Sequence, residues 1–417
     1  MIDLSLKAHG SQNIASQENN ACYGCNDEVV VDILRTVRLY LGMDVAFISE
    51  FSGGRRLFNY VDASPNVQFI QVGASDPLEE SYCQRVIDGR LPQLMQDAAS
   101  FPEALKLSIT TSLPIGAHLS IPISLTDGYT YGTFCCFSLT PDETLDERSI
   151  LVMSVFGNLI ALQIERQVTT VQIHNEMTER INLLLTSKEF MIVYQPIFDI
   201  GENRIVGFEA LTRFLSVPTR SPDVWFDEAH KVGLGICLEL EVLEQALKEL
   251  NCLPDDVYLS LNISPATILS GVLDSVLDNV PVDRIVLEVT EHISVANYLG
   301  FARMLEPFRR LGLRLAVDDA GAGYSSFRHI LQLKPDVIKL DMSITRNIDS
   351  DASSRALAAA LIRFAEETGS RTVAEGVQTN AELKTLRDLC VSKVQGYLIG
   401  KPVPIDTASS SSLDASD

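Results

Sequence analysis

Residues 315–327 read LAVDDAGAGYSSF. An apolar run ends in two adjacent aspartates, Asp318 and Asp319, and a glycine-rich, hydroxyl-bearing loop follows. Neighbouring carboxylates repel each other and need a cation, a proton or solvent to coexist. The question is whether other strands end the same way.

Short β-rich runs alternate with helical segments from residue 187 to about 405. The runs are FMIVYQPIF (190–198), VGFEALTRF (206–214), VYLSLNIS (257–264) and RIVLEVTE (284–291), then LRLAVDDAG (313–321), DVIKLD (336–341), RTVAEGV (371–377) and KVQGYLIG (393–400). CLELEVLEQALKEL (237–250) and SRALAAALIRFAEETG (354–369) are among the helical stretches between them. Eight strands alternating with helices predict an α/β fold, a (β/α)8 TIM-like barrel.

Polar residues recur where those runs end: Glu209, Asn262, Glu288, Glu291, Asp318, Asp319, Lys339, Glu375 and Gln395. One polar residue at a strand end is an ordinary solvated edge. Many on one rim make the face where barrels build active sites. The set is almost all oxygen donors, which suits Mg²⁺, Mn²⁺ or Ca²⁺ rather than zinc or copper. Adjacent Asp318 and Asp319 suit two ions about 3.5–4 Å apart, the arrangement of in-line phosphoryl displacement. Lys339 is placed to orient water or stabilise developing negative charge. Arg213, four residues after Glu209, is placed to clamp a phosphate. His292 reads as structural or exposed. These residues point to metal-dependent phosphoryl chemistry.

Composition narrows the partners. The 417 residues are 46% hydrophobic and 21% charged, with a net charge of −22. Such a surface argues against duplex nucleic acid, which needs clustered Lys and Arg. Eight cysteines are scattered, and Cys22 and Cys25 form a lone CxxC without a second pair at zinc spacing. Residues 1–20 are polar without a signal-peptide core, and no uninterrupted apolar run approaches the length of a membrane helix. The expectation is a soluble, cytoplasmic protein without a membrane partner. The serine-rich tail, 406–417, is expected to be disordered like the lead 1–20.

The region 21–165 has different punctuation. A helical stretch from Asp27 to Leu41 precedes VAFISEF (45–51) and the turn Gly53-Gly54. AHLSIPISL (117–125), the turn Asp127-Gly128 and TYGTFCCFS (130–138) make a hairpin. A long helix follows, from about Glu147 to Leu185, and predicts an α+β domain joined by a helical linker at 166–186. Val155, Leu159, Leu162, Val171, Met177, Ile181 and Leu184 form a broken apolar stripe. One reading packs that stripe on its own domain, and the other makes it a dimer-forming connector.

YQPIFDI…GFEALTRF, with LNIS, LEVTE, VDDAGAGYSSF, IKLD, VAEGV and VQGYLIGKPVP, closely resembles the EAL domain over about residues 180–405. That family consists of phosphodiesterases that linearise the bacterial second messenger cyclic di-GMP. The resemblance implies a barrel, 187–405, whose first strand runs antiparallel. It implies Mg²⁺ or Mn²⁺ held by Glu209, Asn262, Glu288, Asp318 and Asp319, and a Lys339 that orients water. Glu375 would be a base or a water-mediated ligand, so the catalytic set is Lys339, Glu375, Glu209 and Asp318. Gln195, Leu211 and Arg213 would line the dinucleotide, Gln395 would support the hydrolytic centre, and Glu291 would anchor the loop after the aspartates. The product would be linear pGpG. Two positions depart from the family pattern: Ala320 stands for the usual Phe of Asp-Asp-Phe-Gly, and Gln378 for the usual acid. The alternative is a weak or inactive cyclic di-GMP receptor.

SYCQRVIDGRLPQLMQDAAS (81–100) and the hairpin at 116–138 resemble the GAF domain. This implies a domain that binds a small-molecule ligand or simply dimerises, and a homodimer is expected. Cys83 reads as a buried thiol, with a ligand or chromophore anchor as the other reading.

Overall fold

The computed structural model describes residues 28–67, 69–113, 115–290, 297–321 and 326–410. Cys22, Cys25, Glu291, His292 and Gly323, the lead 1–20 and residues 411–417 lie outside the described residues. The chain forms two compact units, Met1–Asn175 and Glu176–Asp417.

The first unit carries a helix over residues 28–40 and an antiparallel sheet. Its strands are β1 (Val45–Ser52), β2 (Arg55–Ala63), β3 (Ser75–Pro77), β4 (Leu94–Met95), β5 (His118–Ser124) and β6 (Thr130–Phe137). They lie in the order β3-β2-β1-β6-β5-β4. Gly53 and Gly54, both with positive φ, make the β1–β2 turn. Gly132 on β6 sits against the Ser49 carbonyl of β1, where a Cβ would lie 1.8 Å from that oxygen. One face of the sheet packs on Val30, Leu34, Met153, Ile160 and Ile164, and the other carries Phe47, Phe58, Cys83 and Phe137.

A single helix, Glu147–Ser187, follows. Met153, Ile160, Ala161 and Ile164 pack in the first unit's core, and Ile181 and Leu184 in the second's. The stripe read from the sequence is only partly a packing face. Val155, Leu159 and Leu162 are 53%, 50% and 50% exposed, and Leu151 joins them at 65%. Spacings of four and three residues place these four on one side of the helix, away from the packed residues. The helix is also long and apolar enough to cross a membrane by length and composition, although charged and polar residues interrupt its apolar runs.

The second unit is a closed barrel of β7 (Phe190–Asp199), β8 (Arg204–Phe214), β9 (Tyr258–Asn262), β10 (Ile285–Thr290), β11 (Arg314–Ala320), β12 (Val337–Leu340), β13 (Arg371–Ala374) and β14 (Lys393–Gln395). β7 pairs antiparallel with both β8 and β14, and every other pairing is parallel. The parallel strands read as near-continuous apolar runs because both their faces are covered. Outside lies the core of Leu259, Leu287, Leu315 and Ile338, packed by helices such as Gly235–Glu249. Inside, Ile197, Val206, Tyr258, Val286, Ala316, Val337 and Val373 form one filled layer. β13 stops at Ala374 rather than running to Val377, because Gly376 turns the chain with φ +69°. Residues 406–410, expected to be disordered, instead belong to a helix, Ile405–Ser410. Ala408 is its anchor, 2% exposed in the barrel's outer core.

Candidate active site

The closed barrel brings the strand-end residues into a ring. Register pairs Gln195 with Glu209, Glu288 with Asn262, and Thr290 with Asp318. At the centre is Lys339, 1% exposed. Its ammonium lies 2.7 Å from Glu288, 3.3 Å from Glu209, 3.2 Å from Asp318 and 2.6 Å from Glu375. Four carboxylates thus surround one cation, from β8, β10, β11 and the residue after β13; Glu209 lies within β8, which runs on to Phe214, rather than at its end. Burial opposes the charge on Lys339, but Asp318, Glu209, Glu288 and Glu375 hold its pKa well above the ordinary lysine value.

One ammonium cannot satisfy four carboxylates equally, and their pKa values diverge. Burial pushes Glu209 up, yet Lys339 together with bonds from Gln395 and Asn262 brings it below the usual range. Those bonds are Gln395 Nε2 to Oε2 at 2.7 Å and Asn262 Nδ2 to Oε1 at 3.0 Å. Glu288 is pushed well up by burial and by repulsion from Glu209 and Asp318, against the pull of Lys339. The Ser260 hydroxyl donates to it. Glu375 is raised to about 8, first by burial and then by Asp318 and Glu209, with Lys339 opposing. This is the environment of a site short of positive charge.

Asp318, Asp319 and Glu375 offer ligand atoms within 4.8 Å of one another. That oxygen-only set fits a hard divalent cation. The Asp319 backbone sits at φ +57°, a left-handed conformation that aspartate tolerates, and its N–H donates to Asp318 Oδ1 at 3.0 Å. A second group, Glu209, Asn262 and Glu288, lies on β8 to β10 beside Asp318 on β11. Asn262 is set by a support that the sequence reading missed. Buried Glu239 accepts from the Ser264 N–H and hydroxyl, both at 3.0 Å, and from the Thr267 hydroxyl at 2.6 Å, which pins the turn after β9.

A cavity of about 370 Å³ opens onto this cluster, lined by Gln195, Glu209, Leu211, Asp318, Glu375 and Gln395. Arg346, Met342, Gln378 and Tyr397 also line it, and none was singled out as a binding residue from the sequence. Arg346 follows the short helix Met342–Thr345, so a search of strand ends does not reach it. Gly376 and Gly396 form part of the wall; a Cβ on Gly396 would lie 2.2 Å from the Val377 carbonyl oxygen. Arg213 is exposed, donates to the Thr212 carbonyl at 2.8 Å, and is not among the residues lining this cavity. Gln195 donates to the Gly400 carbonyl at 3.3 Å and accepts from Gln395 at 3.2 Å. Gln395 Oε1 is buried with no partner among the described residues. Ala320 is fully buried in the outer core.

In the first unit, Cys83 is fully buried, 3.0 Å from Arg56 Nη1 and 3.3 Å from Cys135 Sγ. Burial opposes the thiolate, but Cys135 and the Arg56 guanidinium pull Cys83 below the ordinary thiol value. A cavity of about 100 Å³ nearby is lined by Arg56, Tyr82 and His118, and Cys83 is not among its lining residues. A chromophore anchored on Cys83 does not fit this arrangement.

Comparison with known proteins agrees with the barrel and its companion. The EAL domain model matches residues 178–402, and the GAF domain model matches residues 26–164. A relative from Escherichia coli K12, named probable cyclic di-GMP phosphodiesterase PdeD, is 31% identical over 238 residues, covering 55% of this chain and 44% of that protein. An uncharacterized Mycobacterium tuberculosis protein, Rv1354c, is 27% identical over 282 residues, covering 64% of this chain and 45% of its own length. The chain therefore spans less than half the length of either relative. An EAL domain protein from Listeria monocytogenes EGD-e superposes with a TM-score of 0.50 at 26% identity, over 55% of this chain and 95% of that one. The EAL enzyme Bd1971, solved with cAMP and cyclic di-GMP, matches in fold at a TM-score of 0.55 and 20% identity, over 88% of this chain and 92% of that one. With the EAL model covering more than half of its length and the GAF model preceding it, the chain belongs to the EAL domain family and carries an N-terminal GAF domain.

Proposed function

We propose that the barrel hydrolyses cyclic di-GMP to linear pGpG with Mg²⁺ or Mn²⁺, and that the GAF domain regulates it. The observation that carries this reading is the ring of Glu209, Glu288, Asp318 and Glu375 around Lys339, open to a cavity of about 370 Å³. Similarity to the Escherichia coli probable cyclic di-GMP phosphodiesterase supports the substrate.

Asp318, Asp319 and Glu375 would hold one divalent ion, and Glu209, Asn262 and Glu288, with Asp318 between, a second. Such ions, when bound, polarise the phosphodiester and lower the pKa of a bound water. The chain's own residues do the rest. Lys339 fixes four carboxylates and limits their mutual repulsion in the absence of substrate. Gln395 and Asn262 fix the Glu209 carboxylate in one orientation by donating to its two oxygens. Arg346 is a cation in the cavity wall, suited to a dinucleotide phosphate. Gln195 and Leu211 would border a base. Water attacks phosphorus, one P–O bond breaks, and the products are a 5′-phosphate and a free 3′-hydroxyl.

A cyclic di-GMP receptor is the second reading, favoured by Lys339, which already neutralises part of the ring. The exposed stripe Leu151, Val155, Leu159 and Leu162 is assigned to a second copy of this chain, through the matching stripe of its own helix. The small cavity beside Arg56 and His118 is assigned to a small regulatory ligand.

The test compares binding with turnover. Glu209→Ala should keep cyclic di-GMP binding within about tenfold and lose at least about 100-fold in turnover with Mg²⁺ or Mn²⁺. Binding without cleavage by the unmodified protein, under either ion, would leave the receptor reading.

A further inference from the structure

A second cavity, of about 550 Å³, lies at the other end of the barrel. Arg314, Arg371 and Lys393 are the first residues of β11, β13 and β14, and all three line it. The carboxylate ring sits at the opposite ends of these strands.

Lys393 is only 6% exposed, and no carboxylate of the described residues lies within 4.0 Å of its ammonium. Among the described residues the ammonium makes one hydrogen bond, to the Tyr258 hydroxyl at 3.4 Å. The ammonium lies 4.6 Å from the Tyr258 ring centre, and the Arg314 guanidinium lies 4.5 Å from it. Two cations therefore share one aromatic ring. A buried ammonium without a counter-charge is costly, and two guanidinium groups beside it add repulsion.

Four acidic groups that line the cavity make contacts elsewhere. Asp199, the register partner of Lys393, accepts from the Gly201 and Glu202 N–H groups at 2.9 and 3.0 Å. Asp336 accepts from the Leu315 N–H at 2.8 Å and from Arg309 at 3.1 Å. Glu202 and Asp256 are bridged by Arg204 at 2.8 and 2.7 Å. Asp255 and Asp283 line the cavity as well; Asp255 lies 3.5 Å from Arg284, and Asp283 attracts Arg314 without an ion pair. Among the described residues, none of the three cations has a carboxylate within 4.0 Å, in a chain whose net charge is −22.

We propose that this cavity is a binding site for a phosphate-type oxyanion, held by Lys393, Arg314 and Arg371. Guanidinium forks match the oxygens of a phosphate, and the ammonium adds a point charge. The acids at the cavity mouth favour an anion of one or two charges over an extended polyanion. The volume admits a free phosphate or a mononucleotide phosphate group.

The test titrates full-length protein with inorganic phosphate by calorimetry, in EDTA and at constant ionic strength. Without divalent ions the carboxylate ring repels phosphate, so it does not compete for the probe. The expected result is saturable one-to-one binding, weakened about tenfold or more by Lys393→Met and by Arg371→Gln, a loss of at least about 1.4 kcal/mol. Arg204→Gln frees Glu202 and Asp256 at the rim and should also weaken binding. Lys393→Met is a safe probe because replacing an uncompensated buried charge by an apolar side chain is neutral or stabilising. Arg371 is exposed, so Arg371→Gln provides an independent check without a buried change. Tighter binding of GMP than of phosphate identifies a nucleotide phosphate as the ligand; equal or weaker binding identifies the free ion. Absence of saturable binding, or equal affinity in Lys393→Met and Arg371→Gln, overturns the proposal.

Discussion

The Lys339 ammonium and the Glu288 carboxylate lie 2.7 Å apart, each 1% exposed, inside the acidic end of the barrel. Removing the cation strands Glu288 beside Glu209 and Asp318. Lys339→Met should therefore destabilise the metal-free protein by about 3–5 kcal/mol, the range for a broken buried ion pair. Urea unfolding in EDTA measures this, and adding Mg²⁺ or Mn²⁺ should recover part of the loss. Unchanged stability in EDTA would mean the carboxylates take up protons at no net cost.

Glu239 holds the turn that presents Asn262 through three hydrogen bonds to Ser264 and Thr267. Glu239→Ala leaves the buried Ser264 N–H and both hydroxyls without that acceptor. A loss of about 1–3 kcal/mol is expected. Turnover with Mn²⁺ should fall with it, since Asn262 is no longer held. A fall in stability without a change in metal-dependent turnover would show that Asn262 is positioned by its strand alone.

His230 Nε2 lies 3.1 Å from Glu239, and this hydrogen bond raises the histidine pKa above 6.5, against a smaller opposing effect of burial. A folded-state value above the unfolded one gives stability that is full below the unfolded pKa of about 6.5 and is lost as pH rises through the folded value. The side chain is 40% exposed, so solvent screening keeps the contribution below about 1 kcal/mol. Unfolding midpoints should fall slightly between pH 6 and 8, and His230→Gln should flatten that slope. A slope that survives His230→Gln belongs to other groups.

Ala320 is fully buried against the outer core, and the next residue, Gly321, has φ +101° with Ile344 beside it. A ring at 320 must displace packed side chains. Ala320→Phe should cost about 1–3 kcal/mol, the usual penalty of overpacking, read as a lower thermal midpoint. A stabilised variant would show that the surroundings of β11 accept the aromatic ring found at this position in the family.

Leu159, half exposed on the helix Glu147–Ser187, sits in the apolar stripe. If two copies meet there, Leu159→Glu should shift light-scattering mass from dimer to monomer while the thermal midpoint of the monomer stays within about 0.5 kcal/mol equivalent. A monomer in the unmodified protein would contradict the dimer.

Much of the barrel was legible because its chemistry is repetitive. Each apolar run ends in a polar residue, so the rim of Glu209, Asn262, Glu288, Asp318, Lys339 and Glu375 could be named in chain order before any geometry. Three things were not legible. Pattern does not say that one lysine reaches four carboxylates, since that depends on barrel closure and strand register. Arg346 and Glu239 act from a helix end and a helix interior, where polar residues are ordinarily solvated. Lys393 reads as a strand opening, and only the closed barrel places it beside Arg314 over Tyr258. Arg213 differs: alternation along β8 puts it on the side of Glu209 and Leu211, and in this structure it donates to the Thr212 carbonyl and is not among the residues lining the cavity. The apolar stripe of the long helix has the right period, but period alone does not distinguish a face that is covered from one that is open.

The most direct measurement of the central claim follows product formation from cyclic di-GMP by chromatography, using purified full-length protein with Mg²⁺ or Mn²⁺ and with EDTA, beside Asp318→Asn. The account predicts linear pGpG accumulating over time with either ion, none with EDTA, and a loss of at least about 100-fold in Asp318→Asn. Intact cyclic di-GMP after prolonged incubation with both ions, or pGpG formed equally by Asp318→Asn, would contradict it.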